Sequence, residues 1–272
     1  TRVRSSAASD VYKRQWLHRG ARARSTKQKA HIDRIHAMQE MKDIQEEKRV
    51  MLDSVASRMG NKTIELSGIC KSYGEKKLIE DFSYIFLKKD RIGIIGHNGC
   101  GKSTLLKIIN GIIKPDVGTI EIGQTIKIGY FSQENEYMDE SERVIDYVKE
   151  AGEYIATSDG KITASQMLER FLFDGAMQWS RIEKLSGGEK RRLYLLRVLM
   201  EAPNVLILDE PTNDLDIQTL TILEDYLDHF DGIILIVSHD RYFLDRTVSR
   251  IFAFNGGGKI RQSEGGYSDY LI

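Results

Sequence analysis

Residues 96–103 read Gly-His-Asn-Gly-Cys-Gly-Lys-Ser, the spacing of a loop that cradles phosphates. Its glycines let successive backbone N–H groups curl toward an anion, and a helix opening at the loop's end adds the positive pole of its dipole. Lys102 would reach the β- and γ-phosphates, and the Ser103 hydroxyl would coordinate Mg2+. Asn98, Gly99, Gly101 and Thr104 complete the cradle around Gly96, with Cys100 a small filler and not a nucleophile. A second chemical pair closes the apolar run Val205–Leu208: Asp209 and Glu210. A carboxylate at a strand's end beside a phosphate loop can hold Mg2+ through water, which makes Asp209 the metal-side acid. Glu210, one residue on and pointing differently, can polarise an attacking water.

These side chains need elements to aim them. Arg91–Ile95 supplies the strand before the loop and Thr104–Ile109 the helix after it. After Ser186 the order is helix (Glu189–Met200), apolar strand (Val205–Leu208), helix (Gln218–His229), apolar strand (Ile233–Val237). Helices alternating with continuous apolar strands predict an α/β fold with a parallel core sheet. The earlier short runs, Thr63–Leu66, Ile79–Leu87, Arg91–Ile95, Thr119–Ile122 and Ile126–Phe131, are expected to form an antiparallel edge sheet, and 141–184 a mainly helical insert. Ser25 to about Arg58 holds no Gly or Pro and reads as one long helix, with Gly60-Asn61 as the boundary of the domain at 61–272. Its apolar residues Ile32, Ile35, Met38, Met41 and Ile44 step by three, so the stripe winds around the helix and is no coiled-coil seam.

Composition bounds the setting. The 272 residues carry 40 Lys+Arg and 40 Asp+Glu, so net charge says nothing about partners. Its distribution does: residues 1–34 hold ten basic side chains against two acids, a basic arm on a mildly acidic body. Two cysteines make no disulfide framework, and the longest aliphatic run, Ile233–Val237, falls far short of the roughly 20 residues of a membrane span. No apolar N-terminal stretch resembles a signal peptide, and a cytoplasmic setting is expected. Ser6–Gln15 (SAASDVYKRQ) resembles translated sequencing-adapter sequence, so residues 1–15 are set apart from the fold. The arm from Trp16 to Arg34 still counts six basic residues against one acid. Tyr270-Leu271-Ile272 ends without a tail, and the chain reads as a fragment.

Between the phosphate loop and the acidic strand end stands Leu185-Ser-Gly-Gly-Glu189, which resembles the signature motif of ATP-binding cassette (ABC) ATPases. The resemblance covers about residues 60–272. It implies that Ser186, Gly187 and Gly188, with Glu189 closing the motif, grip the γ-phosphate bound by a second cassette's loop. It implies equally that Tyr73, 23 residues before Gly96, stacks on adenine and that Gln133 touches Mg2+. His239, after Val237-Ser238, would contact the γ-phosphate, and Asp216 would sit on the loop that crosses the interface between two cassettes. Lys102, Glu210 and His239 are the expected catalytic group, and ATP and Mg2+ the expected ligands.

Which kind of cassette follows from two further likenesses. Asn213 stands where transporter ATPases usually carry Ser. The stretch Trp16–Ala30 looks like the end of the interdomain linker in ABC-F translation factors, with the Uup-type branch most similar. On that reading the chain is the second cassette of a two-cassette protein plus the end of its linker (16–60), and its partner is the missing N-terminal half or a second copy. The resemblance also implies a ribosomal site near P-site tRNA and rRNA. Arg19, Arg22, Arg24, Lys27 and Lys29 suit phosphate contact there, with Trp16 placed to stack. Transport is the alternative and predicts a membrane partner near Gln133. A DNA-repair cassette would need a very long coiled coil between Lys102 and Leu185, where about 80 residues stand.

Overall fold

Period-two apolar stretches and helix-forming runs alternate from Ile64 to Tyr270. In the computed structural model, which describes residues 59–60, 62–133, 138–157 and 160–271, they become well-defined elements. The described residues fall in one unit, Leu52–Ile272. The basic arm and most of the helix expected at 16–60 lie outside them.

The first half runs β1 (Ile64–Tyr73), β2 (Lys76–Ile85), β3 (Arg91–Gly96), α1 (Lys102–Ile109), β4 (Val117–Ile122) and β5 (Ile128–Phe131). The middle holds α2 (Val144–Ala151), β6 (Tyr154–Thr157), β7 (Gly160–Thr163), α3 (Ala164–Arg170), α4 (Gly175–Gln178) and α5 (Gly187–Met200). The last third runs β8 (Val205–Asp209), α6 (Pro211–Asp214), α7 (Ile217–His229), β9 (Ile233–Val237), α8 (Arg241–Thr247), β10 (Arg250–Phe254), β11 (Ile260–Glu264) and α9 (Tyr267–Tyr270).

Six strands form the central sheet in the order β11-β10-β3-β9-β8-β5. All neighbours are parallel except the edge strand β11, which pairs antiparallel with β10. Successive residues of a strand face opposite sides, and the core divides accordingly. Val205, Ile207, Ile233, Leu235 and Val237 pack with α1 and the antiparallel sheet. Leu206, Leu208, Ile234 and Ile236 pack with the helices on the other face. Strands buried on both faces can be apolar throughout, which is why β8 and β9 read as unbroken runs.

The antiparallel sheet, β2-β1-β4, takes only part of the expected set. Of the early runs, Arg91–Ile95 joins the central sheet in β3, between β10 and β9, and Ile128–Phe131 joins it as β5, beside β8. Their short length and apolar character are shared by both sheets, so periodicity could not assign them. Residues 141–184 are also not purely helical, because β6 and β7 form a hairpin in which Ile155 faces Ile162. Both are buried (4% and 7% exposed). β10, α8, β11 and α9 add a segment after Val237 for which the sequence offered no clear period.

Asn204 ties the start of β8, the end away from the acids, to the loop before β5. Fully buried, it accepts from Lys127 N (2.8 Å) and donates to Thr125 O (2.8 Å) through its amide. Gly232 stands so close that a Cβ there would come within 2.3 Å of Asn204 O. Asn204→Ala would strand one donor and one acceptor, a loss of about 2–4 kcal/mol. Urea unfolding should show a lower midpoint at unchanged slope, and an unchanged midpoint would show that this bracket contributes nothing.

Candidate nucleotide site

Four segments meet where the parallel strands end: the loop after β3, the acids after β8, the turn after β9 and the end of β5. The loop's geometry requires its glycines. Gly96, Gly99 and Gly101 have φ of 152°, 72° and 117°, a region open to glycine and strained for other residues. A Cβ on Gly96 would fall 2.8 Å from Cys100 Sγ, so that thiol packs against the loop as a filler. Helix α1 opens on Gly101 with no side-chain cap and no acid in its first turn. Its first N–H groups are thus uncapped by protein, the arrangement that receives an anion. Lys102 is buried to 8% exposure, and its Nζ donates to Gly96 O (2.8 Å) and His97 O (3.2 Å), folding the cation back across the loop.

Asp209 and Glu210 are nearly buried (1% and 6% exposed). Glu210 leaves the strand in the left-handed region, φ 53°, which turns its side chain away from that of Asp209. Its backbone N–H donates to Val237 O (2.9 Å), so pairing across to β9 helps hold this strained residue. Burial pushes both carboxyls above their ordinary range. For Asp209 the Ser103 and Tyr130 hydroxyls and Lys102 pull the other way, and for Glu210 His239 and Lys102 do so. Asp209 Oδ1 and Glu210 Oε2 are buried with no hydrogen-bond partner among the described residues.

His239 draws the segments together. Its Nε2 lies 3.2 Å from Asn98 Oδ1 on the phosphate loop and 3.3 Å from Glu210 Oε1. Three of the expected residues, from three parts of the chain, thus share one polar contact. Ser103 and Asp209 face each other at the mouth of α1. Gln133 is exposed two residues beyond β5, and Tyr73 is 53% exposed at the end of β1 with Lys71 Nζ 5.5 Å from its ring centre.

The 185–189 turn lies elsewhere. Ser186 caps α5 in a reciprocal box: its Oγ accepts from Glu189 N (3.3 Å), and Glu189 Oε2 accepts from Ser186 N (2.7 Å) and Oγ (2.8 Å). The carboxylate of Glu189 is therefore occupied in shaping the turn, and those bonds hold it below its usual range. Ser186, Gly187 and Gly188 are exposed, and a Cβ on either glycine would meet nothing within 4 Å. Among the described residues no hydrogen bond or ion pair joins this turn to the phosphate loop. Asp216 caps α7 by accepting from Thr219 N (2.8 Å), and it pairs with Arg192 Nη1 of α5 (3.2 Å).

The sequence reading passed over Arg191, Arg192 and Tyr130. Arg191, 3% exposed, stacks on Phe131 at 3.8 Å and donates to Ser132 O (2.5 Å), one residue before Gln133. A buried arginine in the second turn of a helix sits against the dipole, and that misfit is the signal that could have found it.

Chemically the site offers amides and an ammonium for phosphates, and two unsatisfied buried carboxylate oxygens. Among the described residues no three His, Cys, Asp or Glu side chains cluster as a metal site. An Asp209 carboxylate with Oδ1 unpartnered and the Ser103 hydroxyl against it fits a divalent cation that takes its remaining oxygens from phosphate and water.

Comparison with known proteins agrees with this geometry. The sequence profile of the ABC transporter family matches residues 79–213. The chain is 52% identical over 257 residues to the uncharacterized ABC transporter ATP-binding protein YfmR of Bacillus subtilis, covering 94% of this chain and 41% of that protein. It is 37% identical to the ATP-binding protein Uup of Escherichia coli (93% of this chain, 40% of that one). With the energy-dependent translational throttle protein EttA of Escherichia coli it shares 38% identity (94% and 46%). The chain thus spans less than half the length of these relatives. In fold it is similar to a solved ATP-binding subunit of an ABC transporter, with TM-score 0.63 and 20% identity over 74% of this chain and 90% of that one. Signature turn, phosphate loop and paired acids, together with the matched profile and these relatives, show that the chain carries an ATP-binding cassette ATPase domain.

Proposed function

We propose that this chain binds Mg-ATP on the Gly96–Ser103 loop, hydrolyses it with Glu210, and works as one cassette of a pair in an ATP-driven switch on the ribosome. The contact of His239 with both Asn98 and Glu210 carries the catalytic part, because it brings loop and base to one point. Loop amides and Lys102 would hold the phosphates, with the ammonium exchanging loop carbonyls for phosphate oxygens. Tyr73 would stack on the base. Ser103, Gln133 and Asp209 would hold Mg2+, which when bound offsets phosphate charge and polarises the γ-phosphoryl group. Glu210 would accept a hydrogen bond from the attacking water. That water's oxygen bonds to the γ-phosphorus as the bond to the β–γ bridging oxygen breaks, leaving ADP and phosphate. His239 would contact the γ-phosphate.

The exposed Gly187 and Gly188 amides make no hydrogen bond among the described residues, which supports their use on a nucleotide held by a second cassette, either the N-terminal half of a longer protein or a second copy. A γ-phosphate gripped from both sides favours the closed pair over the open one, the differential affinity that a ligand-driven switch needs. The ribosomal role, near P-site tRNA, rests on the likeness to EttA, whose name makes it a translational throttle, and on the basic residues Arg19, Arg22, Arg24, Lys27 and Lys29. Residues 16–60 would be the end of the linker that carries them. Transport is the weaker reading, and among the described residues no helix is long and apolar enough to cross a membrane.

Glu210→Gln should leave ATP binding intact and slow turnover about 10²–10⁴-fold, the range for loss of a general base. Steady-state phosphate release at the wild-type rate would reject the assignment. With ATP this variant should also co-sediment with ribosomes, whereas partition into membrane vesicles would favour the transporter. A third expectation concerns stability. The folded Glu210 carboxyl ionises above its ordinary value, so between the two values the folded chain binds more protons and stability falls as pH rises. Glu210→Gln should therefore melt higher than wild type at pH 7, and the gain should vanish as pH drops below the ordinary glutamate range. A lower melting point at pH 7 would contradict the buried-charge account.

A further inference from the structure

The phenol of Tyr130 donates to Asp209 Oδ2 at 3.4 Å, across the parallel pair β5 and β8. Resting on the Mg-ATP reading above, we infer that Tyr130 is a positioning residue for the metal: its hydroxyl fixes the rotation of the Asp209 carboxylate so that the second oxygen is presented to the ion.

The argument begins with a torsion. A carboxylate turns about a soft sp³–sp² bond, with no staggered wells to hold it. Burial denies it the water that would otherwise average its orientation. A neutral donor on one oxygen orients the group and leaves its charge for the cation, whereas a lysine in that place would compete with the ion. Asp209 shows this division with the Ser103 hydroxyl also against its carboxylate: Oδ2 takes the phenol, and Oδ1 is buried without a hydrogen-bond partner among the described residues.

The phenol is itself seated firmly. Along β5 side chains alternate, so Tyr130 faces the side of α1 while Phe131 faces α5. From α5, Tyr194 donates its hydroxyl to Tyr130 O (3.0 Å) and stacks on Phe131 (5.4 Å between ring centres). Arg191 stacks on Phe131 at 3.8 Å and donates to Ser132 O. Three consecutive residues of β5 and its continuation are thus clamped by one turn of the helix whose first residues form the signature turn. A change in how that turn is engaged would reach Asp209 through this strand end.

The test compares nucleotide affinity with and without metal, using a fluorescent non-hydrolysable ATP analogue on the full chain. Wild type should bind in excess EDTA and bind more tightly in Mg2+. Tyr130→Phe keeps the ring and removes one oxygen. It should match wild type in melting temperature and in EDTA, and lose on the order of tenfold of the affinity gained with Mg2+, as partners behind a metal ligand typically do. Equal affinities of variant and wild type in both media would overturn the inference and leave ATP binding standing. Equal losses in both media would mean that Tyr130 only supports the fold, which also overturns it. Failure of wild type to bind in either medium would bring down the Mg-ATP reading itself.

Discussion

Two adjacent carboxylates at the end of β8 are held almost out of water, and much of the architecture serves to keep them there. The five residues of β8 are buried, as are the five of β9 beside them. A strand so placed cannot shift register to release its last residue without moving apolar side chains into water. The desolvation of Asp209 and Glu210 is therefore imposed by the sheet, and their raised protonation tendency follows from it. Each keeps one buried oxygen without a hydrogen-bond partner among the described residues, a cost that a bound cation or a polarised water would offset. In this sense the site is built incomplete.

The same chain also uses one physical device twice. At Gly101 and at Ser186 a helix begins with exposed or uncapped N–H groups near glycines. The first helix, α1, opens beside the acids and Lys102, and the second, α5, opens at the surface, capped by Ser186 and Glu189, with its Gly187 and Gly188 amides making no hydrogen bond among the described residues. Anion affinity at both ends is general to helix N-termini. What differs is the company: α1 opens against the buried Lys102, Asp209 and Glu210. The proposed pairing of two cassettes would bring the surface end of one to the buried end of another.

Side-chain traffic behind the site runs through α5. Arg191 and Tyr194 grip β5, and Arg192 pairs with Asp216, which caps α7. The Gly-rich loop could not be linked to the signature turn by sequence spacing, because 82 residues lie between Lys102 and Leu185. Packing makes the link through rings and guanidinium groups stacked at 3.8–5.4 Å.

Spacing along the chain was enough to identify the phosphate loop, the paired acids and the signature turn, because each depends on local geometry. Glycines with positive φ, a helix start and a strand end all lie within about eight residues, and that short range is what a pattern can express. The unbroken apolar runs Val205–Leu208 and Ile233–Val237 likewise announced strands covered on both faces. Other features depended on neighbours distant in sequence. Whether Ile128–Phe131 joined the edge sheet or the core, where the hairpin Tyr154–Thr163 entered a mostly helical segment, and that His239 meets Asn98 and Glu210 were decided by strand order and packing. So was the Tyr130–Asp209 contact, which exists only because β5 lies against β8. Residue types and their spacing set local conformation, whereas contacts between segments follow from the arrangement that buries the most apolar surface at once, a property of the whole chain.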